Sequence, residues 1–317
     1  MLATVPAIDA RELTRSFEVG RRRNRRTIEA VRGISLLVEH GERLAYIGPN
    51  GAGKSTSIKM LTGILHPSSG TASVLGVVPW DERRRLATRI GVLFGQRSML
   101  WNELTPRQSF RMLAAIHDLD RDRERRRIGE LGELLDAAAL FDQPMRGLSL
   151  GQRMRCELTA CLLHEPEILF LDEPTIGLDL LAKRTFRDLL IRLNTEHGTT
   201  IFLTSHDVAD IEHVAERAVV VADGRIIYDD QVSAMARTLL STKVVEVGLG
   251  RPTGTIELDG VTVVAHSDAS LRLVVDTRRT SIRSVLDHVL DAATVDDISV
   301  VDPPLEQVIA GIYGGGA

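Results

Sequence analysis

The octapeptide GPNGAGKS, Gly48 to Ser55, stands between an apolar run, Arg43 to Gly48, and a segment with helical spacing that begins near Ser55. It fits the pattern G-x-x-x-x-G-K-[ST], in which glycines let successive backbone N–H groups converge on a phosphate chain. The N-terminus of the following helix adds a partial positive charge. A glycine-rich turn without function would not need the lysine, the hydroxyl and both flanking elements together. The stretch therefore predicts a phosphate-binding loop between a strand and a helix.

The side chains of this loop have predicted roles toward a bound nucleotide. Lys54 would reach the β- and γ-phosphates, Ser55 would supply a hydroxyl to Mg²⁺, and Thr56 would contact the α-phosphate. The predicted nucleotide-binding residues of the loop and helix start are Gly48, Pro49, Asn50, Gly51, Ala52, Gly53, Lys54, Ser55 and Thr56.

An acidic half of the same site lies at the end of EILFLDE, Glu167 to Glu173, in which EILFLD, Glu167 to Asp172, is a predicted strand. The continuous apolar character of EILFL is typical of a strand buried on both faces. EILFLDE ends in two carboxylates, Asp172 and Glu173. We expect Asp172 to orient the Mg²⁺ shell and Glu173 to polarise the attacking water as the general base. An isolated Leu-Asp-Glu would indicate a solvated turn, but beside a phosphate loop it indicates the second half of a nucleotide site.

The chain from Ala30 to about Tyr228 alternates short apolar runs with longer segments of helical spacing, which is typical of a parallel sheet covered by helices. Further strands are predicted at Arg89–Phe94, Thr199–Ser205 and Ala218–Gly224, and helices from Ser57, Phe110 and Ala182. The pattern predicts an α/β fold with a mixed, mainly parallel sheet.

After Tyr228 the strands are more closely spaced and are separated by Gly, Asp and Ser. The predicted order is the strands VVEVGL, TIELDG, VTVVAH and LRLVVD, a helix around Val285, the strand DISVV and a last helix, LEQVIAGIY. This segment predicts a small accessory α/β domain. A chain of 317 residues corresponds to about two domains. The predicted boundaries are residues 7–230 for the larger domain and 231–317 for the accessory one.

Composition excludes several other classes of protein. With 39 Lys and Arg against 43 Asp and Glu, the net charge of −4 argues against a strongly basic nucleic-acid binder. No apolar run reaches the roughly 18 residues that a membrane span needs, and Asp9, Arg11 and Glu12 stand where a signal peptide would be apolar. We therefore expect a soluble chain. Cys156 and Cys161 are expected to be small buried residues in a reducing compartment.

Two more motifs place the chain in a family. LSLGQ, Leu148 to Gln152, precedes the Asp-Glu strand, and TSHD, Thr204 to Asp207, follows it. The ordered set resembles the ATP-binding subunits of ABC transporters over about residues 7–230. It is most similar to the ATPases of type-2 exporters of drugs, viologens and antibiotics, in which a small C-terminal domain follows the ATPase. The resemblance implies the ABC ATPase fold, a P-loop NTPase with a helical subdomain.

The resemblance also implies roles for residues outside the phosphate loop. Gln96 would be the Q-loop glutamine that contacts Mg²⁺ and water, and His206 the switch histidine that contacts the γ-phosphate. The signature residues Ser149, Gly151 and Gln152 would cap ATP held by a second copy in a head-to-tail homodimer, and Asp179 would cross the same interface. Phe17 would be the adenine-stacking residue, unless it belongs to the core. Leu150 stands where the commonest signature has glycine.

The implied partner is a separate membrane permease, docked in a groove that begins after Gln96 and includes Trp101. The chain would then lie at the cytoplasmic face of the membrane as a peripheral protein, with no nucleic-acid partner. A cytosolic ABC-type ATPase acting on DNA or the ribosome is the alternative. A compact segment between Gln96 and Leu148, and a single phosphate loop, favour transport. Glu173 disfavours a non-hydrolysing binding module. The transported substrate is not encoded in this chain.

A basic run, GRRRNRR, occupies Gly20 to Arg26. A solvated hairpin loop is the interpretation we favour, and contact with anionic lipid headgroups is the alternative. A second charged run, DRDRERRR from Asp120, mixes signs and is predicted to be an exposed helical face.

Overall fold

The structure, a computed structural model, describes residues 5–19, 25–94, 98–205, 207–235, 242–250, 256, 258–267 and 269–301. The chain divides into two compact units, Met1–Asp229 and Asp230–Ala317. Among the helices formed by the described residues, none combines the length and apolar content that crossing a bilayer requires.

The secondary structure of the described residues alternates strands and helices in the larger unit. The strands are β1 (Ile8–Val19), β2 (Arg26–Val38), β3 (Arg43–Ile47), β4 (Ser69–Val74), β5 (Ile90–Phe94), β6 (Ile168–Asp172), β7 (Thr200–Thr204), β8 (Arg217–Ala222), β9 (Arg225–Gln231), β10 (Thr242–Leu249), β11 (Val261–His266), β12 (Ser270–Asp276) and β13 (Val295–Val301). The α-helices are α1 (Lys54–Leu61), α2 (Arg83–Ala87), α3 (Pro106–Ile116), α4 (Arg121–Leu134), α5 (Leu150–Leu162), α6 (Leu180–His197), α7 (Val208–Val214) and α8 (Ile282–Ala292).

The central sheet of the larger unit has the strand order β5-β6-β7-β3-β8-β9. Strands β5, β6, β7, β3 and β8 pair in parallel. Residues Ile168 to Leu171 of β6 are completely buried on both faces of the sheet, which explains their unbroken apolar run. Because parallel strands end at the same edge of a sheet, the segments that follow β3, β6 and β7 meet there. The predicted α/β architecture with a mainly parallel sheet is confirmed.

A second, antiparallel sheet in the larger unit has the order β2-β1-β4. Strands β1 and β2 form a hairpin in which Val19 lies opposite Arg26 and Phe17 opposite Ile28. The basic run lies between these two strands in the sequence, and its residues 20–24 lie outside the described residues.

Helices α3, α4 and α5 pack into a buried core that also contains residues of β6, β7 and α6. Phe110 of α3 packs edge-on against Phe141 with ring centroids 5.0 Å apart. The charged run after Asp120 forms the first turns of α4, where most of its side chains are exposed, as predicted. Cys156 and Cys161 are free and buried in α5, and burial raises the pKa of each thiol to about 12. Both cysteines are therefore packing residues, which confirms the prediction.

Two histidines join this helical core to the sheet. The rings of His117 and His164 stack with centroids 3.9 Å apart, and His164 Nε2 lies 2.9 Å from the carbonyl oxygen of Ile90. Neither Nδ1 has a hydrogen-bond partner among the described residues. Burial, followed by the proximity of His117, lowers the pKa of His164 to about 4. Burial also lowers the pKa of His117, against the opposing effect of Asp118.

This pair predicts an acid-sensitive stability. His164 stays neutral in the folded protein down to about pH 4 but takes a proton near pH 6.5 when unfolded. Its contribution is therefore complete above pH 6.5 and is lost as the pH falls toward 4. We expect the free energy of unfolding to fall by roughly 2 kcal/mol between pH 7 and pH 5 from this group. Urea titrations at a series of pH values should show a flatter acid limb for His164→Gln than for the parental chain. An unchanged acid limb in the His164 variant would contradict the assignment.

The smaller unit contains an antiparallel sheet with the order β11-β12-β10-β13. Helix α8 buries Val285 and Val289 against Val245, Val247 and Leu273 of the sheet. The predicted strand TIELDG is wrong at its end, because Asp259 and Gly260 form a turn in which Gly260 has φ 70°. Residues 255 and 257 of that run, and the predicted last helix at 305–313, lie outside the described residues.

Candidate nucleotide-binding site

The phosphate loop ends where α1 begins. Gly53 is the N-cap of α1 and has φ 104°, so no side chain caps the helix. No acidic residue occurs in its first turn. The first N–H groups of an α-helix have no partner within the helix. The partial positive charge at the N-terminus of α1 and its uncapped N–H groups therefore suit an anion, as the motif predicts.

Two glycines of the loop are required by close backbone contacts. A Cβ atom at Gly48 would lie 2.2 Å from the carbonyl oxygen of Val221, and one at Gly53 would lie 2.4 Å from that of Ala30. Gly51 also has a positive φ, 85°, but an added Cβ would meet open space. The turn after β8 supports the loop from outside, since the Gly224 N–H donates to the Ala52 carbonyl at 3.1 Å. The loop is thus held on two sides by backbone.

Lys54 lies inside the loop. Its side chain is only 5% exposed and its ammonium is 3.8 Å from Glu173 Oε1. The same Nζ donates to the carbonyl oxygens of Gly48, at 2.6 Å, and Pro49, at 3.3 Å. Burial lowers the pKa of Lys54, while the charges of Glu173 and Asp172 oppose that shift. The fold therefore brings the lysine and the acidic strand end together, as a phosphate site with two halves requires.

Thr204, the last residue of β7, holds both carboxylate residues at the end of β6. Its hydroxyl donates to Asp172 Oδ1 at 2.8 Å. The backbone N–H of Glu173 points to the Thr204 hydroxyl at 3.0 Å and to its carbonyl oxygen at 3.1 Å. Glu173 has φ 54°, a left-handed conformation that non-glycine residues rarely adopt and that often occurs at functional sites.

The segment LSLGQ starts α5. Ser149 is the N-cap, its hydroxyl accepts from the Gln152 N–H at 3.3 Å, and Gln152 Oε1 accepts from the Ser149 N–H at 2.9 Å. Both side chains are exposed at a helix N-terminus. Leu150 packs on the loop before α6: a Cβ at Gly177 would lie 2.5 Å from its Cδ2. The motif therefore adjoins the loop that leads to Asp179.

Comparison with known proteins agrees with these motifs. Residues 31–176 match the family model described as ABC transporter. The daunorubicin resistance ATP-binding protein DrrA3 of Streptomyces coeruleorubidus is 34% identical over 293 residues, which are 90% of this chain and 92% of that protein. The chain belongs to the ATP-binding proteins of ABC transporters. It is thus an ATPase subunit of a transporter, and proteins of this family pair with membrane permeases.

Two further similarities extend the comparison. The fluoroquinolones export ATP-binding protein Rv2688c of Mycobacterium tuberculosis is 34% identical over 236 residues, covering 73% of this chain and 76% of that one. A solved dimeric structure of MJ0796, a bacterial ABC transporter cassette, has a TM-score of 0.64 at 23% identity and covers 71% of this chain and 98% of that chain. The second similarity shows the ABC cassette fold.

The remaining ABC motifs have different structural settings. Asp179 is exposed and its carboxylate accepts from the Ala182 N–H at 2.8 Å, so it caps α6. Phe17 is half-buried, and the guanidinium carbon of Arg15 lies 4.8 Å from its ring centroid. Gln96 and His206 lie outside the described residues.

The polar residues that support the ABC site are not predicted from the sequence. Thr204 belongs to the predictions only as part of TSHD, and Thr175 and Asp210 belong to none of them. The position of Thr204 at a strand end beside a second strand that ends in Asp-Glu was an available signal. Asp210 offered none, because an aspartate near a helix start usually indicates a solvated face.

Proposed function

We propose that this chain powers export through a separate membrane permease, by binding and hydrolysing ATP at the cytoplasmic face of the membrane. The observation that carries the proposal is the length of the similarity to the daunorubicin resistance protein. Its 293 aligned residues exceed the larger unit, Met1–Asp229, and so extend into the smaller one. We assign residues 7–230 to the ATPase domain and 231–317 to an accessory domain of this exporter class.

The nucleotide would be held as ATP with Mg²⁺ by the loop from Gly48 to Thr56. Mg²⁺ is usually bound by one or two carboxylates together with phosphate oxygens. Among the described residues no group of three or more His, Cys, Asp or Glu side chains would hold a metal by itself. The half-buried Ser55 hydroxyl and Asp172 carboxylate are hard oxygen donors that fit this mode. Bound there with Gln96, Mg²⁺ would neutralise phosphate charge.

Hydrolysis would depend on Glu173 and Lys54. The Glu173 carboxylate would accept the proton of the attacking water as general base. The buried Lys54 ammonium would donate to the phosphate oxygens in place of its present bonds to the Gly48 and Pro49 carbonyls. His206 would contact the γ-phosphate. Glu173 directly follows β6, and Lys54 is the first residue of the helix that follows β3.

A second copy of the chain would complete the site. The exposed N-terminus of α5, with Ser149, Gly151 and Gln152, has the polarity that suits the phosphates of ATP bound to that copy. Asp179 is exposed beside it and would lie at the same interface. Support comes from the MJ0796 cassette, a protein of the same fold whose solved structure is dimeric.

The permease would dock on the segment that follows Gln96. Trp101 is 42% exposed, whereas its neighbour Leu100 is only 4% exposed. Glu157, a buried carboxylate of α5, accepts from the Met99 N–H at 2.9 Å and from the Ser98 hydroxyl. The buried Glu157 carboxylate therefore holds the segment in place, while the Trp101 indole remains exposed to solvent. Large aromatic side chains presented in this way are typical interface anchors.

Trp101→Ala is expected to weaken association with the permease by at least about tenfold, since aromatic anchors dominate interface energies. ATP binding should not change, because Trp101 is not part of the phosphate site. Co-purification with a multispanning permease that is co-expressed with this chain measures the effect. Ile116→Ala, at an exposed apolar residue of α3, is the matched control. Undiminished co-purification of the Trp101 variant would refute the docking role, and a neighbouring gene without membrane spans would weaken the transport proposal itself.

A further inference from the structure

A buried carboxylate joins three segments around the proposed catalytic glutamate. Asp210 of α7 is 1% exposed. Its Oδ2 accepts from the Ser205 hydroxyl at 2.8 Å and from the Thr175 hydroxyl. Its Oδ1 accepts from Arg187 Nε of α6 at 2.5 Å. One side chain thus bonds the loop after β6, the residue after β7, and helix α6.

The charges around Asp210 are paired. Arg187 is itself buried, and its guanidinium also lies 3.3 Å from Asp207 Oδ2. Lys183 donates to the same Asp207 oxygen at 2.7 Å. Two cations of α6 therefore face two carboxylates at the start of α7. Removing one partner of such a buried ion pair is strongly destabilising, because it leaves a buried charge without compensation.

The network lies where Glu173 needs support. Glu173 has φ 54°, and strained conformations of this kind persist only when the surroundings hold them. Thr204 holds its backbone N–H from one side. Asp210 accepts hydrogen bonds from two hydroxyls close to these residues. Thr175 is two residues after Glu173, and Ser205 directly follows Thr204. The carboxylate therefore fixes both segments that determine the position of Glu173.

We propose that Asp210 is a positioning residue for ATP hydrolysis, which acts with Arg187 through Thr175 and Ser205 to hold Glu173 where its carboxylate reaches the attacking water. It contacts neither nucleotide nor water. The inference rests on the proposed role of Glu173 as general base. Since a displacement of about 1 Å at a reacting group can lower a rate about 10²-fold, a network of this kind can control kcat without touching ATP.

The test uses the full chain with Asp210→Asn and, separately, Thr175→Val. The first removes the charge that pairs with Arg187, and the second removes one hydroxyl at nearly constant shape. We expect kcat to fall at least about tenfold, with KM and the affinity for a fluorescent ATP analogue changed less than about twofold. If Asp210→Asn does not fold, Thr175→Val decides alone. A kcat within twofold of the parent in the folded variants would overturn the proposal.

A matched control lies between the same two helices. His213 Nε2 of α7 lies 2.8 Å from Asp188 Oδ1 of α6, and both side chains are exposed. Asp188→Asn removes this link without touching Thr175 or Ser205 and should leave kcat unchanged. An equal loss of kcat in Asp188→Asn would show that any loosening of the two helices suffices, and would overturn the specific role.

Combination with Glu173→Gln separates the two proposals. If Asp210 acts through Glu173, adding Asp210→Asn to Glu173→Gln should leave the residual rate as it is. A further tenfold loss in the double variant would mean that Asp210 acts elsewhere, and the positioning role would be wrong. If Glu173→Gln alone hydrolyses ATP at the parental rate, the general-base proposal fails. If Glu173→Gln is inactive but Asp210→Asn is not, only the positioning proposal fails.

Discussion

Glu173→Gln is expected to lower ATP hydrolysis to a small residual rate while the chain still binds ATP and accumulates as ATP-bound dimers. Glutamine has nearly the shape of glutamate but accepts no proton at neutral pH. A positioned general base typically contributes about 10²- to 10⁴-fold to a rate, so phosphate release should fall by at least about a hundredfold. Gel filtration with ATP and Mg²⁺ should then show a dimer for the variant. The parental chain should elute as a monomer, because hydrolysis of the bound ATP lets its dimer dissociate.

The glutamate at the other end of the same strand provides the control. Glu167 precedes β6 and pairs with Arg89 at the surface, with Nε 2.5 Å from its Oε1. Glu167→Gln makes the same chemical change away from the phosphate loop and should keep the parental rate. Hydrolysis at the parental rate by Glu173→Gln would show that this carboxylate is not the base. Loss of ATP binding in that variant would instead assign Glu173 a structural role.

The central sheet of this chain was predictable because its residues obey local rules. A strand segment buried on both faces must be apolar, and residues Ile168 to Leu171 of β6 are apolar and fully buried. The phosphate loop was predictable because close backbone contacts leave no room for a Cβ at Gly48 or Gly53. Such constraints act on single positions and therefore leave a pattern in the sequence. The bounds of β3, β6 and β7 differ from the prediction by one residue at most at each end.

The network around Glu173 was not predictable because its bonds join residues that are distant in sequence. Thr175 and Asp210 are 35 residues apart, and either could equally have been a solvated polar residue. The prediction of the strand TIELDG is wrong at its end for a different reason. Its terminal residues, Asp259 and Gly260, form a turn. The contact of Leu150 with Gly177 was not predictable either, because it depends on how α5 packs against the loop before α6.

Gly53→Ala should abolish detectable ATP binding. The new Cβ would lie 2.4 Å from the Ala30 carbonyl oxygen, a backbone atom that β2 holds in place. In addition, alanine at φ 104° is strained, and left-handed conformations cost non-glycine residues roughly 1–2 kcal/mol. Both effects displace the N-terminus of α1, where the N–H groups would meet the phosphates. Calorimetric titration with ATP and a thermal unfolding curve measure the two consequences.

Gly51→Ala separates the contact from the strain. Gly51 also has a positive φ, 85°, but an added Cβ would meet no atom within 4 Å. This variant should carry the conformational strain without the collision, so it should bind ATP more weakly than the parent but measurably. The difference between the two variants then reports the Ala30 contact alone. Equal ATP affinities would mean that β2 yields to a side chain at residue 53, and the close approach of β2 would not be what makes glycine necessary there.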